Sequence, residues 1–155
     1  MAGNGNVDMV RRRFEELDRG NFEILDELFA PEYRLRPGGA SEALNLAETK
    51  NLYSLLYAML PDLKHSLDEQ LEDGDKVVTR WTATGTHRGE VLGVEPTGKS
   101  VSFSGINIYT IADGRFVGSD VSWDLLPVMT VLALAPEQPS LFHAARAGGE
   151  EAGSY

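Results

Sequence analysis

The fold of this protein is decided by residues 100–124, which read SVSFSGINIYTIADGRFVGSDVSWD. The stretch is rich in Val, Ile, Phe and Tyr, residues that favour extended strands. Asp113 and Gly114 divide it, and an Asp-Gly pair between two apolar runs is a strong signal of a tight β-hairpin. The stretch therefore predicts two long antiparallel strands, over residues 101–111 and 115–124.

Two further strands precede this hairpin. Residues 76–87 are rich in Val, Thr and Trp and predict a long strand, and residues 64–72 alternate loosely and predict a second. Gly74, flanked by two aspartates, is the hairpin signal between them. Residues 88–99 contain three glycines and a proline and predict a loop.

The first 60 residues have the periodicity of helices instead. Apolar residues recur three and four positions apart, and Pro31 and Pro61 end two of the repeats. These patterns predict three helices, over residues 7–17, 22–29 and 41–60, with a short strand over 32–36 and a final short helix over 125–134.

Helices followed by antiparallel strands are typical of the α+β class. We expect a cone-shaped α+β barrel, in which the N-terminal helices cover a strongly bent antiparallel sheet and the mouth of the cone holds a pocket. One domain is predicted over residues 1–134. Residues 135–155 contain two prolines, three glycines and few large apolar residues, and we expect them to be a disordered tail.

The composition excludes several classes of function. The chain has 155 residues and a formal net charge of −10, which argues against nucleic acid and anionic membranes as partners. The absence of cysteine excludes disulfides, thiolate nucleophiles and cysteine-ligated metals. A metal site would need His65 and His87 to converge with carboxylates, and we expect no metal. We also expect no other cofactor. A cytoplasmic protein is the expectation.

One face of the predicted strand over residues 101–111 carries candidate pocket residues. Alternation places Phe103, Asn107 and Tyr109 on the same side. Asn107 lies between two isoleucines, and it is either a satisfied structural amide or a group that faces a ligand. On the preceding strand Trp81 is a core or stacking residue. His87 is either a structural hydrogen-bond donor or a contact with substrate, where it could carry a proton near neutral pH.

Two acids lie near the end of the last strand. Asp120 and Asp124 flank Trp123, and a carboxyl group in an apolar cavity can act as a general acid or base. The alternative is that both acids lie in solvent. Tyr33 and Trp123 are further candidates for contact with a substrate. The candidate catalytic residues are therefore Asp120, Asp124 and Asn107.

Four segments of the strand region resemble the SnoaL-like polyketide cyclases of the nuclear transport factor two-like superfamily. They are RWTATGTH at residues 80–87, GEVLG at 89–93, PTG at 96–98 and IADG at 111–114. The similarity covers about residues 7–134. It implies a cone-shaped barrel, commonly dimeric, around a hydrophobic cavity. Members of the family close rings by cofactor-free aldol chemistry, and relatives open epoxides or hydroxylate rings without a bound flavin or metal.

The resemblance also locates the positions of the aldol chemistry. Aldol cyclases of this family place a His before the Asp-Gly turn and an acid–base Asp after it, and the matching positions here are Asn107 and Val121. Asn107 can hydrogen-bond but cannot exchange a proton at neutral pH. Val121 can do neither, and it is expected only to contact substrate. Asp120 is adjacent, and a one-residue bulge would turn it inward in place of Val121.

Three functions are compatible with these residues. The first is a cofactor-independent cyclase of aromatic polyketide biosynthesis, with Asp120 or Asp124 as the acid–base group and with Asn107 and Tyr109 holding a substrate oxygen. The second is a hydroxylase of anthracycline-type substrates that uses dioxygen, with a separate reductase as a partner. The third is a non-catalytic protein that binds a hydrophobic polycyclic or polyketide molecule. In each case we expect a homodimer.

Overall fold

The computed structural model describes residues 5–38 and 40–132, so the tail predicted over residues 135–155 lies outside the described residues. None of the described helices is long and apolar enough to cross a bilayer. The helices are α1 (Gly5–Asp18), α2 (Ile24–Leu28), α3 (Leu46–Met59) and α4 (Leu126–Val131). The strands are β1 (Phe29–Pro37), β2 (Leu44–Asn45), β3 (Lys64–Asp73), β4 (Lys76–Thr86), β5 (Ser100–Ala112) and β6 (Arg115–Trp123).

All six strands belong to one sheet, in the order β2-β1-β6-β5-β4-β3. Strands β3 to β6 pair as consecutive antiparallel neighbours, as the two hairpin signals predict. Strand β1 departs from the prediction, because it pairs in parallel with β6. A connection that contains a helix, here α3, permits such parallel pairing. The α+β class is confirmed, but the sheet is mixed, curved and unclosed and not wholly antiparallel.

The third helix begins later than its periodicity predicts, at Leu46 and not at residue 41. Asn45 Oδ1 accepts a hydrogen bond from the backbone N–H of Glu48 at 2.9 Å. The Glu48 carboxylate in turn accepts the backbone N–H of Asn45 at 2.8 Å. This capping box satisfies free N–H groups at the helix start and fixes the first turn. The residues just before it pair with β1 as the short strand β2.

The inner face of the sheet forms the core together with α1 and α3. Burial alternates along β5, so that Phe103, Asn107 and Tyr109 are buried and their neighbours face outward. Helix α1 contributes Phe14 and Leu17 to the same core. The alternation in the sequence therefore identifies the inner face of β5 correctly.

An irregularity in β6 decides which of its residues face inward. The pairing of β5 with β6 shifts between Thr110 and Ile111, next to the hairpin turn. Beyond this shift Val121 faces inward and is 4% exposed, whereas Asp120 faces outward. The prediction that a bulge turns Asp120 inward is therefore wrong. The irregularity lies earlier in the strand, and after it Val121 points inward and Asp120 outward.

Candidate functional site

An apolar cavity lies between the inner face of the sheet and helices α1 and α3. Its empty space is about 420 Å³, and part of this space is open to solvent. The volume that the centre of a water molecule can occupy is about 30 Å³. A few polar groups on a mostly apolar wall are typical of a small-molecule site. The lining residues are Arg13, Phe14, Leu35, Tyr53, Leu56, Tyr57, His65, Trp81, Asn107, Val121 and Trp123.

His65 lines this cavity and is hydrogen-bonded to a carboxylate behind it, that of Asp18. Asp18 is the last residue of α1, and His65 is the second residue of β3. His65 Nδ1 lies 2.8 Å from Asp18 Oδ1, and the His65 backbone N–H donates to Asp18 Oδ2 at 2.8 Å. Because the ionised carboxylate can only accept, Nδ1 carries the proton and Nε2 is the basic nitrogen. The pair has the arrangement of an oriented general base.

The surroundings of the pair fix its charge state. Tyr57 donates its hydroxyl hydrogen to Asp18 Oδ1 at 2.7 Å. Burial alone would raise the pKa of Asp18, but hydrogen bonds from His65 and Tyr57 outweigh it and hold that pKa below its usual value. Burial lowers the pKa of His65, against the opposing influence of Asp18. At neutral pH the pair is therefore an aspartate beside a neutral imidazole.

Trp81 connects the imidazole to Asn107. Its ring packs edge-on against His65, with 5.3 Å between the ring centroids. Its indole Nε1–H donates to Asn107 Oδ1 at 2.8 Å, and Asn107 Nδ2 donates to Ser119 Oγ at 2.9 Å. Both polar atoms of the Asn107 amide thus have protein partners. The network fixes the orientation of the indole and the amide on the cavity wall.

Arg13 brings a positive charge to the same cavity. Its guanidinium carbon lies 4.2 Å from the centre of the Phe14 ring and 4.8 Å from that of Tyr53. These distances are typical of cation–π contacts. Arg13 is 5% exposed, and no ion pair formed within residues 5–38 and 40–132 includes it. The cavity therefore contains a neutral base and a cation that has no counter-ion in the part of the chain that the structure describes.

Comparison with known proteins places this chain in a family. The sequence model of the SnoaL-like polyketide cyclases matches residues 8–132. The chain belongs to this family. A candidate SnoaL-like polyketide cyclase from Jannaschia sp. CCS1 is 28% identical and covers 86% of this chain and 95% of its own, with a TM-score of 0.76.

Two further solved structures extend the comparison. IdmH, a candidate polyketide cyclase from Streptomyces antibioticus, is 27% identical over 82% of this chain and 97% of its own, with a TM-score of 0.70. AclR, a candidate hydroxylase from Streptomyces galilaeus, is 22% identical over 83% and 96%, with a TM-score of 0.76, and shares the fold. No curated protein sequence matches the chain.

Some of the residues that the sequence predicts for the site do line the cavity. They come from strands β4, β5 and β6, where alternation places them on the inner face. Their roles in binding or catalysis stay predictions. The predicted residues that line the cavity are Trp81, Asn107, Val121 and Trp123.

The two predicted catalytic acids lie outside the cavity. The Asp120 side chain is 56% exposed on the outer face of the sheet and lies 3.4 Å from Arg36. Asp124 is exposed just beyond β6, where its carboxylate accepts the backbone N–H of Leu126 at 3.1 Å and helps to start α4. Neither position allows proton transfer inside the cavity, so the placement of both acids at the reacting centre is corrected.

Three predicted contact residues lie in the packed core around the cavity. Tyr33 packs edge-on against Phe29 at 4.5 Å between centroids, and Phe103 packs edge-on against Trp81 at 5.8 Å. Tyr109 is fully buried. None of these three residues lines the cavity, and they pack behind the residues that do.

His87 holds the loop that follows β4. It is fully buried, and its Nδ1 accepts the backbone N–H of Thr97 at 3.2 Å. Its backbone carbonyl accepts the N–H of Gly98 at 2.9 Å. His87 does not line the cavity, so its predicted contact with substrate does not fit the structure. In the described part of the chain, no group of three or more His, Cys, Asp or Glu could hold a metal ion.

Sequence reasoning missed the most polar part of the cavity. Arg13 had a readable signal, because it lies three residues after Val10 and four before Leu17, on the buried face of α1. Asp18 and His65 are 47 positions apart, and no local pattern indicates their contact. Finding that pair requires knowing how the end of α1 meets β3.

Proposed function

We propose that this protein is a cofactor-independent acid–base enzyme that cyclises a hydrophobic, polyketide-type substrate, with His65 as the base. The observation that carries the proposal is that His65, in the wall of an apolar cavity, is hydrogen-bonded to the carboxylate of Asp18. Nε2 accepts a proton while the Nδ1–H bond to Asp18 keeps the imidazole oriented. His65 thus takes the role that sequence reasoning gave to Asp120 or Asp124.

The proposed reaction needs no external oxidant or reductant. His65 Nε2 removes a proton from a carbon beside a substrate carbonyl, which leaves an enolate. The enolate carbon then attacks a second carbonyl carbon of the same molecule, and the resulting alkoxide takes the proton back from His65. Asp18 stabilises the imidazolium that exists between the two transfers. The walls of the cavity hold the two carbons close together.

The test uses an aromatic β-keto ester of the polyketide type that carries a further carbonyl group, incubated with the protein in D₂O under ¹⁸O-labelled dioxygen, with and without a reductant. We expect enzyme-dependent deuterium uptake beside the carbonyl and a ring-closed product without the oxygen label, both measured by mass spectrometry. A product that carries the oxygen label would contradict the cyclase. A substrate that binds and is never altered would favour a non-catalytic binding protein.

Hydroxylation with dioxygen is the second candidate, and one observation favours it. The cavity positions that match the aldol His and Asp of the family hold Asn107 and Val121, and neither side chain can ionise near neutral pH. An electron-rich substrate, reduced by a separate protein, would then react with oxygen in the pocket. In that case product formation would need oxygen and a reductant.

We also propose a homodimer that forms through the outer face of the sheet. Ile106 and Ile108 are 43% and 38% exposed there, in the middle of β5. Arg80 and Asp120 give the same face charges of both signs, as a self-complementary surface needs. A second copy of this chain is therefore the occupant that we expect.

Ile106→Glu is expected to convert this dimer to a monomer, because dimerisation would then have to remove a new carboxylate from water in the middle of an apolar patch. Light scattering coupled to size-exclusion chromatography measures the mass. Leu92→Glu is the control, since Leu92 is 74% exposed in the loop after β4 and its variant should remain dimeric. A monomeric wild-type protein, or a dimeric Ile106→Glu variant, would contradict this interface.

A further inference from the structure

The uncompensated charge of Arg13 is the feature of this cavity that the proposed proton transfer does not explain. Arg is always protonated in proteins. Burying such a charge without an anionic partner is strongly unfavourable in general. Asp18, an acid of the same helix, already accepts three hydrogen bonds from His65 and Tyr57.

Neighbouring groups satisfy the guanidinium only in part. The Phe14 and Tyr53 rings provide cation–π contacts but no hydrogen-bond acceptor in the plane of the guanidinium. Arg13 Nε is buried and has no hydrogen-bond partner among the described residues. The buried hydroxyl of Tyr109, whose ring centre lies 6.0 Å from the Arg13 guanidinium carbon, also has none there. Arg13, which lines the cavity, therefore has an unused donor that matches a negatively charged oxygen, and a second unused hydroxyl lies behind the wall.

We propose that Arg13 binds the negatively charged oxygen of an organic anion, a carboxylate or enolate conjugated to an aromatic ring, inside this cavity. The aromatic part of the ligand would contact the apolar wall, and its oxygen would lie in the plane of the guanidinium. This inference deepens the proposed function, because Arg13 would stabilise the enolate that His65 generates. It rests on the same cavity being the site, but it requires no turnover.

A purely structural role for Arg13 makes the opposite prediction for stability. If the cation–π contacts held the fold together, Arg13→Met would lower the melting temperature of the free protein. If Arg13 is kept for a ligand, removing an unpaired buried charge leaves the melting temperature unchanged or raises it. Arg12→Met is the matched control, since Arg12 is the adjacent residue and forms an exposed ion pair with Glu27 at 2.8 Å.

The binding test compares benzoate with benzamide, two single-ring probes of nearly equal size that differ in charge. Titration of the isotope-labelled protein, followed by NMR at the Trp81 indole N–H, reports occupation of the cavity. We expect wild type and Arg12→Met to bind benzoate at least about 10-fold more tightly than benzamide, the scale of one charge-assisted hydrogen bond. Arg13→Met should lose this preference and keep the binding of benzamide.

Three results would overturn the inference. They are no preference for benzoate in the wild type, an undiminished preference in Arg13→Met, and a melting temperature of free Arg13→Met far below that of Arg12→Met. If Arg13→Met does not fold, Arg13→Lys replaces it, and we expect a weakened preference because an ammonium lacks the planar fork; an unchanged preference would overturn the inference.

The failure of this inference and the failure of the proposed function can be told apart. His65→Gln should keep the preference for benzoate while it loses deuterium exchange. Preference for benzoate without exchange in the wild type would reject the enzyme and leave the anion site. Exchange without the preference would reject the anion site and leave the base.

Discussion

His65→Gln is expected to lower kcat/KM for deuterium exchange and ring closure by about 10²–10⁴-fold, the usual contribution of a positioned acid–base group. Glutamine can still hydrogen-bond to Asp18, but it cannot accept a proton at neutral pH. The measurement is the initial rate of exchange in D₂O, with the β-keto ester as substrate. Asp120→Asn is the control, because its side chain is 56% exposed on the outer face. A His65→Gln rate within tenfold of the wild type would reject the base.

The same base predicts the direction of the pH dependence. His65 must be neutral to accept a proton, and burial holds its pKa below the ordinary value of 6.5. The wild-type kcat/KM should therefore fall on acidification, with the midpoint of this acid limb below pH 6.5. The charged groups that face His65 are Asp18 and Arg13 of α1, and Tyr57 of α3 is the neighbouring phenol.

Asp18→Asn separates the electrostatic role of the carboxylate from its geometry. Asp18 raises the pKa of His65, so its removal should move the acid limb of the profile to lower pH and reduce the plateau rate, because a weaker base remains. The Asn oxygen can still accept the Nδ1 hydrogen. A profile with an unchanged limb would show that another group titrates.

The sheet was largely predictable from sequence because its signals are local. Each hairpin turn carries an Asp-Gly pair, and Asp113 and Gly114 adopt the positive φ angles, 51° and 73°, that such a turn requires. The parallel pairing of β1 with β6 was not predictable in the same way. It joins residues such as Arg34 and Gly118, which are distant in sequence, and no local residue type indicates that partnership.

The residues of the site also differ in how far local sequence signals predict their positions. Strand alternation identifies the inward position of Asn107, because the period of two holds through regular strands. The bulge that would turn Asp120 inward is what fails, because the register shift lies near Ile111, closer to the turn, and leaves Val121 on the inner face. The Asp18–His65 pair depends on a contact between a helix end and a strand start, which periodicity alone does not define.

Gly105→Ala tests whether Trp81 can keep its position only because residue 105, opposite it in the sheet, has no side chain. Gly105 pairs with Trp81 across β4 and β5. A Cβ at position 105 would lie 2.4 Å from Trp81 Cζ2 and 3.0 Å from the backbone oxygen of Ser122. The indole is 3% exposed and packs against His65 and Phe103, so it cannot move aside without displacing them. We expect the free energy of unfolding to fall by about 3 kcal/mol, as for other overpacked cores.

The same substitution should change the geometry of the site as well as lower the stability of the protein. A displaced indole lengthens or breaks the bond from Trp81 Nε1 to Asn107 Oδ1, and the imidazole loses its edge-on neighbour. Thermal unfolding should show a melting temperature lower by about 10 °C, and NMR should show a shifted indole N–H signal. Gly118→Ala is the control, since a Cβ there would make an ordinary 3.4 Å contact with the Arg34 carbonyl oxygen. If Gly105→Ala were as stable as Gly118→Ala with the indole signal unchanged, the close approach of Trp81 to β5 would be wrong. The orientation of His65 would then need another support, because the indole is its neighbour on the cavity wall.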